Sequence, residues 1–366
     1  MDGSRPFYLS PLRATLKTMS YTLIDSDEDI QSLLDQWKER GVRQVAMDFE
    51  GEFNLHCYGE HLCLIQIFDG EHFFLVDPLA ADQEASRRSA LELGKPFAPF
   101  LDSATNSRLT VEGLRLLLES PQVEKLWFDC ASDGELVWKK FGIRLAGVYD
   151  LFREAKVLGL VGPGLAGNLA ALTERFVKAG AQGKDTMASG EGNRGGLSKK
   201  QLQQTNWMRR PLSPPQLEYA LEDVAHLFAL RERLDQLAVE KKLLSQVQAA
   251  MKGVPHVRQE GGAGHTKLPG YKRLKTHQQV YLRHFFEARD TVARQLNRPP
   301  FHVLDKHLLV RLAQKAPLAA GQLQAELGGA SQPARLLLPL MVSAMEAASQ
   351  EVARMKPRSA GEGGRS

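Results

Sequence analysis

The 366-residue sequence predicts an α/β domain, in which helices flank a mixed β-sheet, followed by a small all-α domain. Short apolar or β-branched runs of strand length come first, and segments with helical spacing follow them. Residues 275–350 have helical spacing almost throughout. The chain is longer than the about 250–300 residues at which a single core stops growing, so we expect more than one core.

Four strands are predicted in the first domain, each bounded by Gly, Asn or Asp, and helical segments follow them. The strands cover residues 44–49, 62–68 and 73–77 and a run that ends at 126–128. The helical segments cover residues 133–142, 150–160, 167–178 and 214–240. This order, strands first and helices after, favours a mixed sheet covered by helices.

Stretches rich in Gly and Pro divide the chain, because they have no period and no apolar face. Residues 252–271 contain the clearest of these stretches, and residues 180–197 predict a surface loop. The expected organisation is an N-terminal extension at 1–20, an α/β domain at 21–245, a linker at 246–271, a helical domain at 272–352 and a disordered tail at 353–366.

Composition and charge exclude several classes of protein. Hydrophobic residues make up 43% and charged residues 25%, which excludes collagen, a mostly disordered chain and a disulfide miniprotein. Three cysteines cannot pair completely, and no signal peptide or run of about 18 apolar residues occurs, so we expect a cytoplasmic protein without a membrane span.

The net charge of +4 conceals an uneven distribution. Residues 267–315 carry eleven Lys or Arg and three acidic residues, a formal charge of +8, and the remaining residues carry −4. A basic stretch of this kind is typical of phosphate binding, although a solvated helical face explains the charge equally well.

Asp48 and Glu50 are two carboxylates on one predicted strand that is otherwise apolar. Side chains alternate across a strand, so both point to one face, and Met47 and Phe49 point to the other. Two like charges this close favour a site for a hard divalent metal such as Mg²⁺ or Mn²⁺. The alternative is a strand end at which both carboxylates reach water.

Asp133 begins a predicted helix after the fourth strand. Ser132 and Glu135 have the spacing of a capping box, which would place Asp133 in the first helical turn, where the helix dipole favours an anion. Helix capping and the helix dipole thus explain an aspartate at this position without any functional role.

Tyr219 and Asp223 are four residues apart on a predicted helix that starts at Ser213 and Pro214, so they share one face. A phenol and a carboxylate beside apolar positions predict a lined cavity, and a surface hydrogen bond is the alternative. The preceding stretch 192–217 has no acidic residue and contains Trp207, which we interpret as a core anchor rather than a base-stacking group. Its basic residues, which could bind phosphates, are Arg194, Lys199, Lys200, Arg209 and Arg210.

Together and in this order, the motifs resemble the DEDD superfamily of 3′→5′ exonucleases, tyrosine subclass. The segments YGEHLCLIQI (58–67), FFLVDPL (73–79), NLAAL (168–172) and NWMRRPLSPPQLEYALEDV (206–224) resemble ribonuclease D, and the resemblance spans about 21–245. Residues 287–317 resemble the HRDC domain that follows the nuclease in that family. The histidine subclass would have a histidine where this chain has Glu218.

The resemblance implies a ribonuclease H-like fold and a two-metal site. Asp48, Glu50, Asp133 and Asp223 would be ligands of two divalent metal ions, Mg²⁺ or Mn²⁺, and Tyr219 would orient the attacking water. Ribonuclease D relatives often have a histidine at the position of Phe128, a departure that concerns substrate detail rather than activity.

The implied function is 3′→5′ trimming of structured RNA, with single-stranded 3′ ends and tRNA precursors as the expected partners. No residue in the sequence identifies a contact to the RNA 2′-hydroxyl, so DNA stays open as a substrate of the same chemistry. A non-catalytic nucleic-acid-binding protein is the alternative from a different class. It has no physical need for four clustered carboxylates.

Overall fold

The computed structural model describes residues 20–100, 107–162, 167–178, 197–253, 264–328 and 331–355. Their contacts divide into two compact units. The first contains the described residues of 1–51, 61–85 and 101–257, and the second contains those of 52–60, 86–100 and 258–366. The predicted extension before residue 20, nearly all of the predicted 180–197 loop and most of the predicted tail lie outside the described residues.

A mixed sheet forms the centre of the first unit, as the sequence predicts. The described residues contribute six strands, β1 (Tyr21–Ile24), β2 (Gln44–Phe53), β3 (Glu60–Phe68), β4 (Phe73–Val76), β5 (Glu124–Trp127) and β6 (Val148–Asp150). Their order across the sheet is β1-β4-β3-β2-β5-β6. β3 and β4 are antiparallel, whereas β4 pairs with β1 and β5 pairs with β2 and β6 in parallel. The two strands that sequence reasoning missed, β1 and β6, are the short edge strands.

Helices cover this sheet. They are α1 (Asp27–Arg40), α2 (Leu79–Glu92), α3 (Val111–Leu118), α4 (Ala131–Phe141), α5 (Leu151–Val157), α6 (Leu169–Thr173), α7 (Lys199–Gln203), α8 (Pro214–Ala225), α9 (Leu227–Glu240) and α10 (Leu244–Met251), and a π-helical turn, Glu174–Lys178, follows α6. α10 occupies the first residues of the segment predicted as a linker. It is helical there because Val247 is buried against the apolar side of α9.

β2 divides its side chains between two apolar clusters. Val45, Met47 and Phe49 pack into one of them, and Ala46 packs into the other together with Val224 of α8. Because side chains alternate along a strand, Asp48 and Glu50 belong to the Ala46 side. The predicted division of this strand into an apolar face and an acidic face is therefore confirmed, and the acidic face is the one that α8 covers.

The second unit is helical, and the predicted fold class is confirmed. Its described residues from 264 onward form α11 (Thr276–Gln295), α12 (Pro300–Val303), α13 (Lys306–Lys315), α14 (Ala320–Leu327) and α15 (Gln332–Met355), with 3₁₀ turns at Gly264–Lys267 and Tyr271–Arg273. The core of this unit is built around Leu282, Phe285, Leu312 and Met341. No helix in the described part of the chain is long and apolar enough to cross a membrane.

Tyr58 fastens the segment 52–60 to α11 within this second unit. Its hydroxyl donates to Asp290 Oδ2 at 2.8 Å and accepts from Arg294 at 2.7 Å, and its backbone N–H donates to Asn297 Oδ1 at 3.2 Å. Burial and the neighbouring Asp290 raise the pKa of Tyr58 to about 12. The phenol therefore stays protonated as a donor.

Arg210 joins the sheet to the loop that leads into α8. Its guanidinium donates to both oxygens of Asp77, which follows β4, at 2.6 and 3.0 Å. It also donates to the carbonyl of Cys63 on β3 at 2.6 Å and to that of Trp207 at 2.9 Å. Both partners of the ion pair are nearly buried, so each needs the other to satisfy its charge.

We expect Arg210→Met to lower the free energy of unfolding of the first unit by about 3–5 kcal/mol, because it leaves the Asp77 carboxylate buried without its cation. Urea denaturation followed by circular dichroism measures the change. Arg209→Met is the matched control. Its side chain is exposed, and we expect a change within about 0.5 kcal/mol. Equal effects of the two substitutions would contradict this role of Arg210.

Candidate active site

Asp48 and Glu50 lie on β2, an interior strand of the sheet. Glu50 is only 8% exposed, and its Oε1 accepts a hydrogen bond from Gln66 Nε2 of β3 at 3.2 Å. The pleat sends both carboxylates toward α8, and strand neighbours on both sides hold the backbone in place. The alternative of a solvated strand end does not apply to the buried Glu50.

α8 supplies Tyr219 and Asp223 on one face. The helix begins at Pro214, as predicted, and Gln216 accepts from the backbone N–H of Ser213 at 3.0 Å. Tyr219 is 3% exposed, its ring lies 6.1 Å from that of Trp207, and burial and the neighbouring Asp223 raise the pKa of its hydroxyl. The phenol and the carboxylate line a cavity, as predicted, and the alternative of a hydrogen bond on the open surface does not apply.

Three carboxylates converge where β2 faces α8. One oxygen from each of Asp48, Glu50 and Asp223 lies within 4.8 Å of the others. An all-oxygen set of negative donors matches the preference of hard divalent cations such as Mg²⁺ and Mn²⁺. The donor set therefore fits the type of metal that the resemblance implies.

Asp133 lies in the first turn of α4, and Trp127 Nε1 donates to its Oδ2 at 2.8 Å. Among the described residues it is not part of the close group of three, but its charge contributes to the raised pKa values of Asp48 and Glu50. The predicted capping box is wrong. The helix begins at Ala131, which places Ser132 inside it, and Glu135 pairs with Lys139 at 2.5 Å.

Burial is the main cause of the altered carboxylate pKa values in this site. It raises the pKa of Asp48 and Glu50 well above the ordinary range, and repulsion from the neighbouring carboxylates raises both further. Burial also raises the pKa of Asp133, to about 7, against the opposing effect of the Trp127 hydrogen bond. Lys199 and Tyr219 partly offset the same effect at Asp223. Negative charge in this site is costly unless a cation is added.

A cavity of about 580 Å³ opens onto the carboxylates and is lined by groups of two chemical kinds. Phe128 and Phe152 form an apolar wall, with ring centroids 5.7 Å apart. Lys199, Lys200 and Gln203 of α7 supply polar groups. Sequence reasoning noted the lysines as part of a basic stretch but missed Phe152 and Gln203, because no local pattern distinguishes them from packing or surface residues.

The basic stretch before α8 has several roles. Trp207 is 1% exposed and packs with Tyr219, so the core-anchor interpretation is confirmed and base stacking by its buried ring is excluded. Arg210 is engaged by Asp77, whereas Lys199 and Lys200 face the cavity. Arg194 lies outside the described residues.

Comparisons with known proteins agree on both units. A family model described as 3′–5′ exonuclease matches residues 21–238, and the HRDC domain model matches residues 278–337. The exosome complex component 10 homolog of Caenorhabditis elegans is 25% identical over 323 residues, 85% of this chain and 30% of that protein. Ribonuclease D of Xanthomonas oryzae is 27% identical over 282 residues, 76% of this chain and 65% of that protein. This chain thus spans less than two thirds of either relative.

Solved structures show the same fold. The catalytic core of RRP6 from Trypanosoma brucei superposes with a TM-score of 0.63 at 19% identity, over 92% of this chain and 82% of that one. Escherichia coli RNase D superposes with a TM-score of 0.60 at 23% identity, over 89% and 75% of the two chains. At these identities the structural likeness supports the fold alone.

The raised pKa of Asp133 predicts a pH dependence of stability in the absence of metal. Between the unfolded value near 4 and the folded value of about 7, the folded protein binds more protons than the unfolded chain. The free energy of unfolding therefore decreases as the pH rises through this window. In EDTA, we expect the free energy of unfolding to fall between pH 4.5 and 7 by at least about 1 kcal/mol more in the wild type than in Asp133→Asn. Urea denaturation at both pH values tests this, and parallel losses would refute it.

Proposed function

This chain belongs to the 3′–5′ exonuclease family, and we propose that it is a metal-dependent 3′→5′ exoribonuclease that trims the 3′ ends of structured RNA. The observation that carries the proposal is the convergence of Asp48, Glu50 and Asp223 beside Tyr219 in one cavity. RNA is favoured over DNA because relatives from Xanthomonas oryzae and Haemophilus influenzae are named ribonuclease D.

The metal-binding part of the proposal uses all four carboxylates. Asp48, Glu50, Asp133 and Asp223 hold two divalent ions, Mg²⁺ or Mn²⁺. Such ions, when bound, supply charge relief at the phosphoryl oxygens, an activated water and stabilisation of the leaving oxygen. The desolvated charge on these side chains is what makes cation binding favourable, and a purely structural scaffold would gain nothing from it.

The remaining groups act on water and substrate. Tyr219 lines the cavity beside Asp223 and its raised pKa keeps the phenol protonated, so its oxygen can accept a hydrogen bond from the attacking water. Lys200 attracts the phosphate backbone, and the apolar rings of Phe128 and Phe152 exclude water from the part of the cavity that they line. The basic stretch 267–315, at +8, would hold the body of the RNA.

We extend the proposal to tRNA precursors as substrates and to the cytoplasm as the compartment. A folded RNA with a short single-stranded 3′ end suits a chain that has a cavity for the end and a separate basic stretch, residues 267–315, for the body. All three cysteines are buried and none is in a disulfide, which suits a reducing compartment.

The decisive experiment uses 5′-labelled RNA and DNA with free or blocked 3′ ends, with Mg²⁺, Mn²⁺ or EDTA. We expect a ladder from unblocked RNA that depends on metal, and no ladder with Asp48→Asn, because the amide replaces a negative ligand. Asp35→Asn, an exposed position on α1, is the control and should leave the ladder intact. Cleavage of blocked or circular RNA would exclude an exonuclease, and a ladder from DNA alone would assign the chemistry to DNA.

Tyr219→Phe should lower kcat by roughly 10- to 100-fold, because the water loses its orienting oxygen but the ring still packs on Trp207. Calorimetric Mn²⁺ affinity should change less than about threefold. Tyr21→Phe, on the exposed edge strand β1, is the matched control. Wild-type turnover by Tyr219→Phe would show that the hydroxyl has no role in hydrolysis.

A further inference from the structure

Trp127 is a fully buried residue at the end of β5, and its indole N–H has a polar partner. Nε1 donates to Asp133 Oδ2 at 2.8 Å. An indole N–H can only donate, so the direction of this hydrogen bond is the same whether or not the carboxyl group carries a proton. Trp37 and Trp207 are also buried, and their indole nitrogens have no hydrogen-bond partner among the described residues. The contact with Asp133 is therefore not a general consequence of burying a tryptophan in this fold.

The ring of Trp127 is itself held in place. Phe49 of β2 packs edge-to-face against it, with ring centroids 4.8 Å apart and ring planes at 81°. Phe49 lies between Asp48 and Glu50 in the sequence and points to the opposite face of the strand. The indole that binds Asp133 is thus packed against the same strand that carries two of the other carboxylates.

The backbone that leads into Asp133 is fixed by a different residue. Asp150 of β6, the strand partner of Trp127, accepts with Oδ1 from the backbone N–H of Asp129 at 2.9 Å and from that of Phe152 at 3.0 Å. Asp129 has a φ of 64°, in the left-handed region, so the turn between β5 and α4 depends on such support. Since Asp150 holds this turn, the contact with Trp127 is left to set the direction of the Asp133 side chain.

A carboxylate at this position needs such a restraint to act as a metal ligand. The torsion that rotates an aspartate carboxylate about its bond to Cβ is soft. The other carboxylates of the site repel Asp133 and favour rotations that turn it away from them. The hydrogen bond from Trp127 keeps Oδ2 in one place, and within the described part of the chain no donor binds Oδ1. One oxygen of Asp133 is therefore held, and the other is available to a cation.

We propose that Trp127 is a positioning residue of the hydrolytic site: its indole N–H holds Oδ2 of Asp133, so that Oδ1 is directed to bind a divalent metal ion. The proposal rests on the exonuclease activity and on the set of four carboxylates proposed above. Trp127 is fully buried and is not among the described residues that line the cavity, so it acts on the reaction only through Asp133.

Mn²⁺ calorimetry without RNA tests this role independently of activity. Trp127→Phe should bind Mn²⁺ about 10-fold more weakly, because the carboxylate loses the donor that directs it. Trp37→Phe is the matched control and should bind Mn²⁺ as the wild type does. Trp37 lies in the same apolar cluster and packs edge-to-face on Phe74, but its indole N–H has no partner in the described part of the chain. Equal Mn²⁺ affinities in the two variants would overturn the proposal.

An isosteric replacement separates the hydrogen bond from packing. Trp127→Phe also leaves a space beside Phe49, whereas benzothienylalanine at the position of Trp127 keeps the shape of the indole and replaces only its N–H by sulfur. We expect the same loss of Mn²⁺ affinity, about 10-fold, in this variant. Its thermal unfolding should stay closer to that of the wild type than the unfolding of Trp127→Phe does. Wild-type Mn²⁺ affinity in the benzothienylalanine variant would overturn the proposal.

A double-mutant cycle tests whether Trp127 acts through Asp133. In the Asp133→Ala background, Trp127→Phe should have no further effect on Mn²⁺ affinity, because the group that it positions is absent. In the otherwise wild-type chain, Trp127→Phe should lower kcat at limiting Mn²⁺, and excess Mn²⁺ should restore it. KM for RNA should stay unchanged, because the cavity lining is intact. Additive losses of Mn²⁺ affinity, or a loss of kcat that excess Mn²⁺ does not restore, would overturn the proposal.

Failure of the positioning proposal and failure of the proposed function give different results. A wild-type protein that forms the metal-dependent ladder, together with a Trp127→Phe variant that binds Mn²⁺ as the wild type does, rejects only the role of Trp127. A wild-type protein that leaves unblocked RNA intact in Mg²⁺ and Mn²⁺ rejects the function, and the role of Trp127 in hydrolysis with it.

Discussion

Repulsion among closely spaced, partly buried carboxylates is the constraint on which this site depends. Asp48, Glu50 and Asp223 have oxygens within 4.8 Å of one another, and Asp133 adds further negative potential. If these carboxylates lay on flexible segments, their mutual repulsion would move them apart into water, which solvates each charge separately. An interior β-strand and a packed helix cannot move apart in this way without breaking the sheet or exposing the core. The rigidity of the fold therefore keeps a charge arrangement that is unfavourable until a cation neutralises it.

The contacts that fix α8 are as important to the site as the carboxylates. Asp223 reaches Asp48 only if α8 stays against the sheet, and repulsion between the two acts to separate them. Arg210 opposes this separation from the loop before α8, since its guanidinium binds Asp77 and the Cys63 carbonyl of the sheet. Trp207 adds apolar burial at the same place. Thus the Arg210–Asp77 ion pair contributes to the energy needed to hold the carboxylates of α8 and β2 close together.

Local periodicity was sufficient to predict the two carboxylate-bearing elements. The i, i+2 spacing of Asp48 and Glu50 and the i, i+4 spacing of Tyr219 and Asp223 fix a common face without any tertiary information. Asp133 was found only through the order of the motifs, because its local sequence suggests a capping box that does not form. Phe152 and Gln203 depend on how distant segments pack, and the short edge strand β6 lacks a strong pattern of its own. Spacing thus predicted which residues share a face, but not which faces meet.

The distribution of charge creates a problem that the lysines of α7 help to solve. In the proposed function, the nucleic-acid end is negative and the carboxylates that would receive it are negative too, so the metal-free site would repel its substrate. Attraction of the nucleic acid has to come from cationic groups that do not neutralise the carboxylates permanently. Lys199, 3.5 Å from Asp223, neutralises part of this charge before a metal does, and Lys200 faces the cavity beside it. A lysine side chain is long and flexible enough to give up the carboxylate to a metal ion and turn toward a phosphate. The chain can therefore keep its acidic centre compact in the absence of metal without blocking metal or substrate.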